Sequence, residues 1–403
     1  MQNIGLVPVV HVEPVLHRRR RSGFIIGLAA FALAALMATP VQAQTWGPIV
    51  QVSSSDNVGE GPWNIVTASG GVVHAGYGTD TPSGFFYRRS VDGGATWDPQ
   101  QQLVPDATAD VTWSDGMVSS GQLVVALFSR VENGTTQRLY YRRSVDAGVT
   151  WLAEQTVATY PSVNQSMGLA SVAVSGSLVV VTWTDRHSST SGFVRERRST
   201  DSGATLKPVI KIGSYSGWDA LPKAAASGKH VYVTWVANSG NGEVLWTGLK
   251  LRRSTDSGAS FKPIQTMEHG SLPISKISTA ASGNIFLATY DVLTKVVRLT
   301  RSANGGATLT SSSLATGHTS TSYRTAGGVA IDGLQARAVW EDYGGAYIRT
   351  SADGGKTWAA QQTVYDPTTV FTSSPDVAID GSHTVVIAWL STDNGGELVS
   401  RGT

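Results

Sequence analysis

The sequence predicts an all-β fold, a single seven-bladed β-propeller of four-stranded antiparallel blades closed by the N-terminal strand of the mature chain. Three observations predict it. An eight-residue box recurs six times at intervals near fifty residues, the signature of units that cannot bury their apolar faces alone. Beyond the leader no stretch shows a sustained 3.6-residue apolar period, whereas short runs such as LVVVTW and VYVTW recur. The fragment TWGPIVQV, from Thr45, also reads as the back half of a motif found complete further on.

Taken in order, residues 1–43 read as a signal peptide and 44–403 as the propeller. Arg18–Arg21 precede the apolar run FIIGLAAFALAALM, and VQA at 41–43 supplies small residues before a cut. The apolar run is shorter than the ~20 residues a bilayer crossing needs, so no stable membrane span is expected after cleavage. The leader holds four arginines and one glutamate, which leaves the mature chain near neutrality and excludes an electrostatic nucleic-acid partner. With no cysteine, the exported chain has neither disulfides nor a thiolate.

The boxes are SVDGGATW from Ser90, SVDAGVTW from Ser144, STDSGATL from Ser199, STDSGASF from Ser254, SANGGATL from Ser302 and SADGGKTW from Ser351. Asp92, Asp146, Asp201, Asp256, Asn304 and Asp353 can accept hydrogen bonds from their own turn, and the glycine that follows permits a positive φ. Strands such as LYYRRS precede each box, which makes it the turn between the third and fourth strands of a unit. Upstream, pairs such as SVAVSG and SLVVVTW supply the first two strands. An aromatic closes the second strand seven times, at Tyr77, Phe128, Trp183, Trp235, Tyr290, Trp340 and Trp389. Seven such positions against six boxes imply seven blades. TWGPIVQV matches the fourth strands TWDPQQLV and TWAAQQTV, and the chain stops after ELVSRGT, where a seventh box would begin. Trp46 to Val52 should therefore pair with the strand around Glu397 to Ser400.

The box S-x-D-x-G-x-T-W resembles the Asp box, or BNR repeat, of sialidases and several other propellers, over essentially the whole mature chain. The resemblance implies that the boxes lie on the outer, lower side, away from the ligand face. Sialidases have six blades and use three arginines, a Tyr–Glu nucleophile pair and an acidic Asp, with one arginine in an Arg-Ile-Pro motif before the first box. Here residues 59–66 read GEGPWNIV without arginine, so no catalytic residue carries over with its motif intact. Seven-bladed relatives include lectins that bind sugars between blades, assembly scaffolds and glycan-cleaving enzymes.

The face opposite the boxes carries variable loops, where binding residues collect. Arg130, Arg186 and Arg324 are candidates to hold an anionic sugar, with Asp219 beside them; Trp63, Trp113 and Trp218, in or just after the inter-blade links, could stack on a pyranose. Catalysis would draw on Asp110, or on Tyr323 with Glu341 as a phenol–carboxylate pair. The seven-fold aromatic register reads as inter-blade packing, and the paired arginines at 88–89, 142–143, 197–198 and 252–253 as rim groups that meet acidic partners. The scattered histidines give no metal site, and no cofactor motif is present. The functional expectation is a monomeric periplasmic or secreted propeller that binds carbohydrate or an extracytoplasmic protein surface. The alternatives are a sialidase-like glycoside hydrolase acting on anionic glycans and a non-enzymatic assembly scaffold.

Overall fold

A computed structural model describes residues 45–53, 65–80, 83–104, 110–160, 167–188, 190–217, 220–238, 247–267, 274–279, 285–291, 296–315, 324–342, 345–365, 372–381, 383–392 and 395–403. Its strands form seven four-stranded antiparallel blades. Blade one comprises β2 (Ile65–Ser69), β3 (Val72–Asp80), β4 (Ser83–Ser90) and β5 (Gln101–Val104), and blade two β6 (Asp110–Ser120), β7 (Leu123–Glu132), β8 (Thr136–Ser144) and β9 (Gln155–Tyr160). Blade three is β10 (Met167–Ser175), β11 (Leu178–Ser188), β12 (Ser191–Ser199) and β13 (Ile210–Ser216); blade four is β14 (Lys223–Ser227), β15 (His230–Asn238), β16 (Thr247–Ser254) and β17 (Gln265–Thr266). Blade five holds β18 (Ile274–Thr279), β19 (Ile285–Asp291), β20 (Val296–Ser302) and β21 (Thr310–Ala315), and blade six β22 (Arg324–Asp332), β23 (Gln335–Asp342), β24 (Gly345–Ser351) and β25 (Gln362–Tyr365). A parallel bridge between Ser216 and Asn238 joins blades three and four into one eight-stranded sheet.

Blade seven takes β26 (Thr372–Asp380), β27 (His383–Thr392) and β28 (Gly395–Gly402) from the C-terminal end and β1 (Val50–Gln51) from the N-terminal side. Val50 pairs with Ser400 and Gln51 with Val399, while the Gly47 amide donates to the Gly402 carbonyl at 2.9 Å. The closing strand thus pairs with the expected partner strand, although its ladder is only two residues long. Trp46 packs half-buried on the cluster between blades six and seven, and Val52 is fully enclosed between blades seven and one.

Seven apolar clusters appear among the described residues, and each spans one seam between neighbouring blades. Period-two alternation explains this: successive residues of one strand serve the seams on its two sides. Val180 faces blade four, whereas Val181 and Trp183 face blade two. Tyr77, Phe128, Trp183, Trp235 and Trp340 are all buried, so the aromatic register is packing where its side chains are described.

The innermost strands have no fifth strand to pair with, and neighbouring blades satisfy them with side chains. On the lower face Ser69, Ser120 and Ser175 accept from the amides of Gly121, Gly176 and Gly228 at 2.7, 2.9 and 2.8 Å. Asp332 accepts from Gly381 at 2.9 Å and Asp380 from Gly71, which carries the same belt through blades six, seven and one. These glycines have positive φ, which aims the amide at the preceding blade.

Candidate binding face

The boxes define the lower face. In blade two, Asp146 accepts from the Ser144 hydroxyl at 2.6 Å and from the Thr150 amide at 2.9 Å, while Ser144 accepts from the Gly148 amide at 2.8 Å. Hydrogen bonds from Ser144 and Thr150 lower the Asp146 carboxyl to about 2. The Ala147 amide reaches the Gln122 carbonyl at 2.8 Å, which binds the box to the turn between the first two strands of its own blade. Analogous bonds join Ser202 to Ser177, Ser257 to Lys229 and Gly354 to Leu334. With their serine and aspartate side chains engaged in turn closure, the boxes contribute architecture.

The paired arginines also serve architecture, by a different route from that expected. Arg142 donates to the Leu152 carbonyl of its own blade at 3.0 Å and to the Leu103 carbonyl of blade one at 2.6 Å. Arg88, Arg197 and Arg252 make the corresponding bonds to Val52, Val157 and Ile212. The second arginine of a pair points the other way: Arg198 donates to Ser257 and Arg253 to Gly305, in the box of the following blade. Of the eight, only Arg89 has an acidic partner among the described residues, Asp98 at 3.4 Å. Carbonyls win because the outer strand of the preceding blade presents them to the first arginine and the box of the following blade presents them to the second, and a guanidinium has donors enough for two at once.

On the upper face two adjacent inter-blade mouths differ in charge. Between blades one and two, Arg130 pairs with Glu154 and lies 4.4 Å over the Tyr140 ring, Arg138 pairs with Glu132, and the Tyr140 hydroxyl donates to Glu132. Its cations are neutralised internally, and Tyr140 is only 5% exposed.

Between blades two and three the aromatic Phe193 occupies the third strand. The Lys211 ammonium stands 3.5 Å from its ring centroid, the Arg195 guanidinium 5.0 Å away, and His187 meets it edge-on at 4.5 Å. Arg195 donates to Asp185 at 2.8 Å. Beneath them Trp183 donates to the Tyr160 hydroxyl at 2.7 Å, and burial pushes that hydroxyl up to about 12, so it stays protonated. Among the described residues Lys211 has no carboxylate partner, and both Lys211 and His187 are exposed. Phe193 thus holds two cations in place on its ring while leaving one free to meet an anion.

The sequence candidates distribute unevenly over this face. Arg130 and Arg186 lie in adjacent blades, Arg130 within the neutralised mouth and Arg186 half-buried beside Asp185. Asp110 and Arg324 begin innermost strands, in blades two and six, and Trp113 follows Asp110 in β6. Arg324 pairs in register with Asp342 and Thr325 with Glu341, and both acids are buried. Trp63, Trp218, Asp219 and Tyr323 lie outside the described residues. Phe193, Arg195 and Lys211 escaped the sequence reading because Lys211 belongs to the fourth strand; the only available signal was an aromatic two residues before an arginine on a loop-proximal strand. The axial channel is a poor rival: its volume is about 180 Å³ and its lining is Val, Ala, Ile, Ser and Thr, without a charged group among the described residues.

The family model for the BNR repeat-like domain matches residues 35–323. The chain belongs to this family. No curated protein sequence matches it. Among solved structures, this BNR repeat-like propeller is similar to a PL25 ulvan lyase bound to -[GlcA(1-4)Rha3S]-, with 12% identity, TM-score 0.57, and 87% of this chain and 95% of that one covered. It is also similar to the polysaccharide lyase Uly1, at 10% identity and TM-score 0.51 over 84% and 88% of the two chains. YCF48 bound to D1 peptide matches at 13% identity and TM-score 0.51, over 90% and 96%. At these identities the likeness is one of fold.

Proposed function

We propose that this protein is an exported propeller that binds an acidic saccharide at the upper mouth between blades two and three. The observation that carries the reading is the exposed Lys211 ammonium, seated on Phe193 and without a carboxylate partner among the described residues. A uronate or sulfate group would meet Lys211 and His187, and the Arg195–Asp185 pair would offer both a donor and an acceptor to neighbouring hydroxyls. The fold likeness to a lyase described with a uronate- and sulfate-bearing disaccharide supports this class of ligand. The leader at residues 1–43 supports export.

The glycosidase reading has its best described constellation in Tyr140 and Glu132 between Arg130 and Arg138, but Tyr140 is too enclosed to reach a substrate. The reading is tested by titrating the protein with a uronate-containing, a sulfated and a neutral polysaccharide. Acidic polymers should bind and the neutral one should not, Lys211→Ala should weaken binding about tenfold, and added salt should oppose it. Equal binding of neutral and acidic polymers, or unchanged affinity in Lys211→Ala, refutes the site; release of shortened products would favour the enzyme alternative.

A further inference from the structure

Glu196 is a buried acid that the binding mouth does not use. It stands three residues before its box serine, the place held by Tyr87 in blade one and Tyr141 in blade two. All three side chains press on the box of the following blade. Tyr87 lies against Gly148, the Tyr141 hydroxyl donates to the Gly203 carbonyl, and Glu196 Oε1 is where a Cβ added to Gly258 would meet it at 3.1 Å. Yet Glu196 is 1% exposed, and its Oε1 has no hydrogen-bond partner. Across the ladder Thr182, its register partner on β11, is also buried with an unpartnered hydroxyl. From β13 the register partner is Ile210, which is uncharged. On its own strand Arg198 is the charged neighbour and spends one nitrogen on the Ser257 carbonyl at 3.3 Å; from the blade-four box comes Asp256, already held by Ser254 and Ser260.

We propose that the seam between blades three and four is an acid-favoured latch, tight while Glu196 is protonated and loosened when it ionises. The neutral acid fits the space that a phenol fills in the two preceding blades. A carboxylate there would be a buried anion with an unsatisfied oxygen, and the box of blade four would have to move to let water reach it. Burial, opposed by the Arg198 charge, pushes Glu196 up to about 8 from its ordinary 4.5. Because the folded value is the higher one, the contribution to stability is complete below the unfolded value and is lost as pH rises toward the folded one.

The test compares unfolding of the full chain with that of Glu196→Gln, which keeps the shape and removes the proton. Between about pH 5 and pH 8 the folding constant of the wild type relative to the variant should fall by up to about tenfold per pH unit, and the two should converge in acid. The amide-exchange protection factors at Gly258 and its box, with the intrinsic rate at each pH divided out, should fall over the same range in the wild type alone. Parallel pH profiles overturn the proposal. If Glu196→Gln does not fold, the carboxyl titration of wild-type protein labelled with ¹³C at glutamate decides instead: a buried carboxyl titrating above pH 7 supports the latch, and all carboxyls titrating in the ordinary range overturn it.

Discussion

At the scale of single residues, the boxes are more demanding than their wording suggests. Each described box places two consecutive residues at positive φ, not one: Gly93 and Gly94, Ala147 and Gly148, Ser202 and Gly203, Ser257 and Gly258, Gly305 and Gly306, Gly354 and Gly355. In three boxes the first of the pair carries a side chain in a backbone region that costs L-residues about 1–2 kcal/mol. Part of that is returned by the lower chain entropy of a non-glycine residue when unfolded. Ala147→Gly should therefore stabilise by up to about 1 kcal/mol, read as a higher urea midpoint. The fifth box is a natural experiment on the carboxylate: Asn304 keeps the bond from the Thr308 amide at 2.9 Å and reverses the side-chain bond, its own amide donating to Thr308. Asp146→Asn should accordingly be milder than Asp146→Ala, in thermal midpoint at neutral pH.

Buried titratable groups act at the scale of the element, through the seam each one faces. His74 on β3 is fully buried, shares a 2.8 Å hydrogen bond between its Nδ1 and the Tyr87 hydroxyl, and lies under the box of blade two. Burial first, and Arg89 second, lower it to about 3 from 6.5. The folded state resists a proton that the unfolded chain accepts, so this group costs stability as pH falls below 6.5, by at most about 1.4 kcal/mol per pH unit until 3. Glu196, two seams away, has the opposite dependence. Acid denaturation should therefore begin at the seam of blades one and two, and His74→Gln should flatten the loss between pH 6.5 and 3 in urea midpoints. Arginine bridges join the same elements. Arg142→Met leaves the Leu103 and Leu152 carbonyls without their donor, which should cost about 1–3 kcal/mol and speed amide exchange in β5 and β8.

For the molecule as a whole, the question is how a ring made by one chain stays shut. The answer was legible in the sequence because closure reuses a repeated motif: Thr45–Val52 matches the fourth strands that follow the boxes, and it pairs with β28 as such a strand should. The binding mouth was not legible for the converse reason. Lys211 meets Phe193 across β12 and β13, where a register shift between Val194 and Arg195 breaks any fixed spacing, and the acids that neutralise Arg130 come from two segments, Glu132 on its own strand β7 and Glu154 just before β9. The arginine pairs were misread because their acceptors are backbone carbonyls, which no side-chain pattern reveals. Closure can be tested with two chains, one beginning at Thr45 and one at Ser53. The shorter chain loses the Val52 side chain, enclosed between blades seven and one, the ladder to Val399 and Ser400, and the Val52 carbonyl that receives Arg88. Together these should cost about 3–5 kcal/mol. The β28 edge would also stand unpaired, so association of the shorter chain at high concentration is expected. Adding a peptide of residues 45–53 should restore part of the thermal midpoint, since it refills the same edge. If the shorter chain melts like the longer one, the ring is held shut by its inner belt and seam packing, and the N-terminal strand is dispensable.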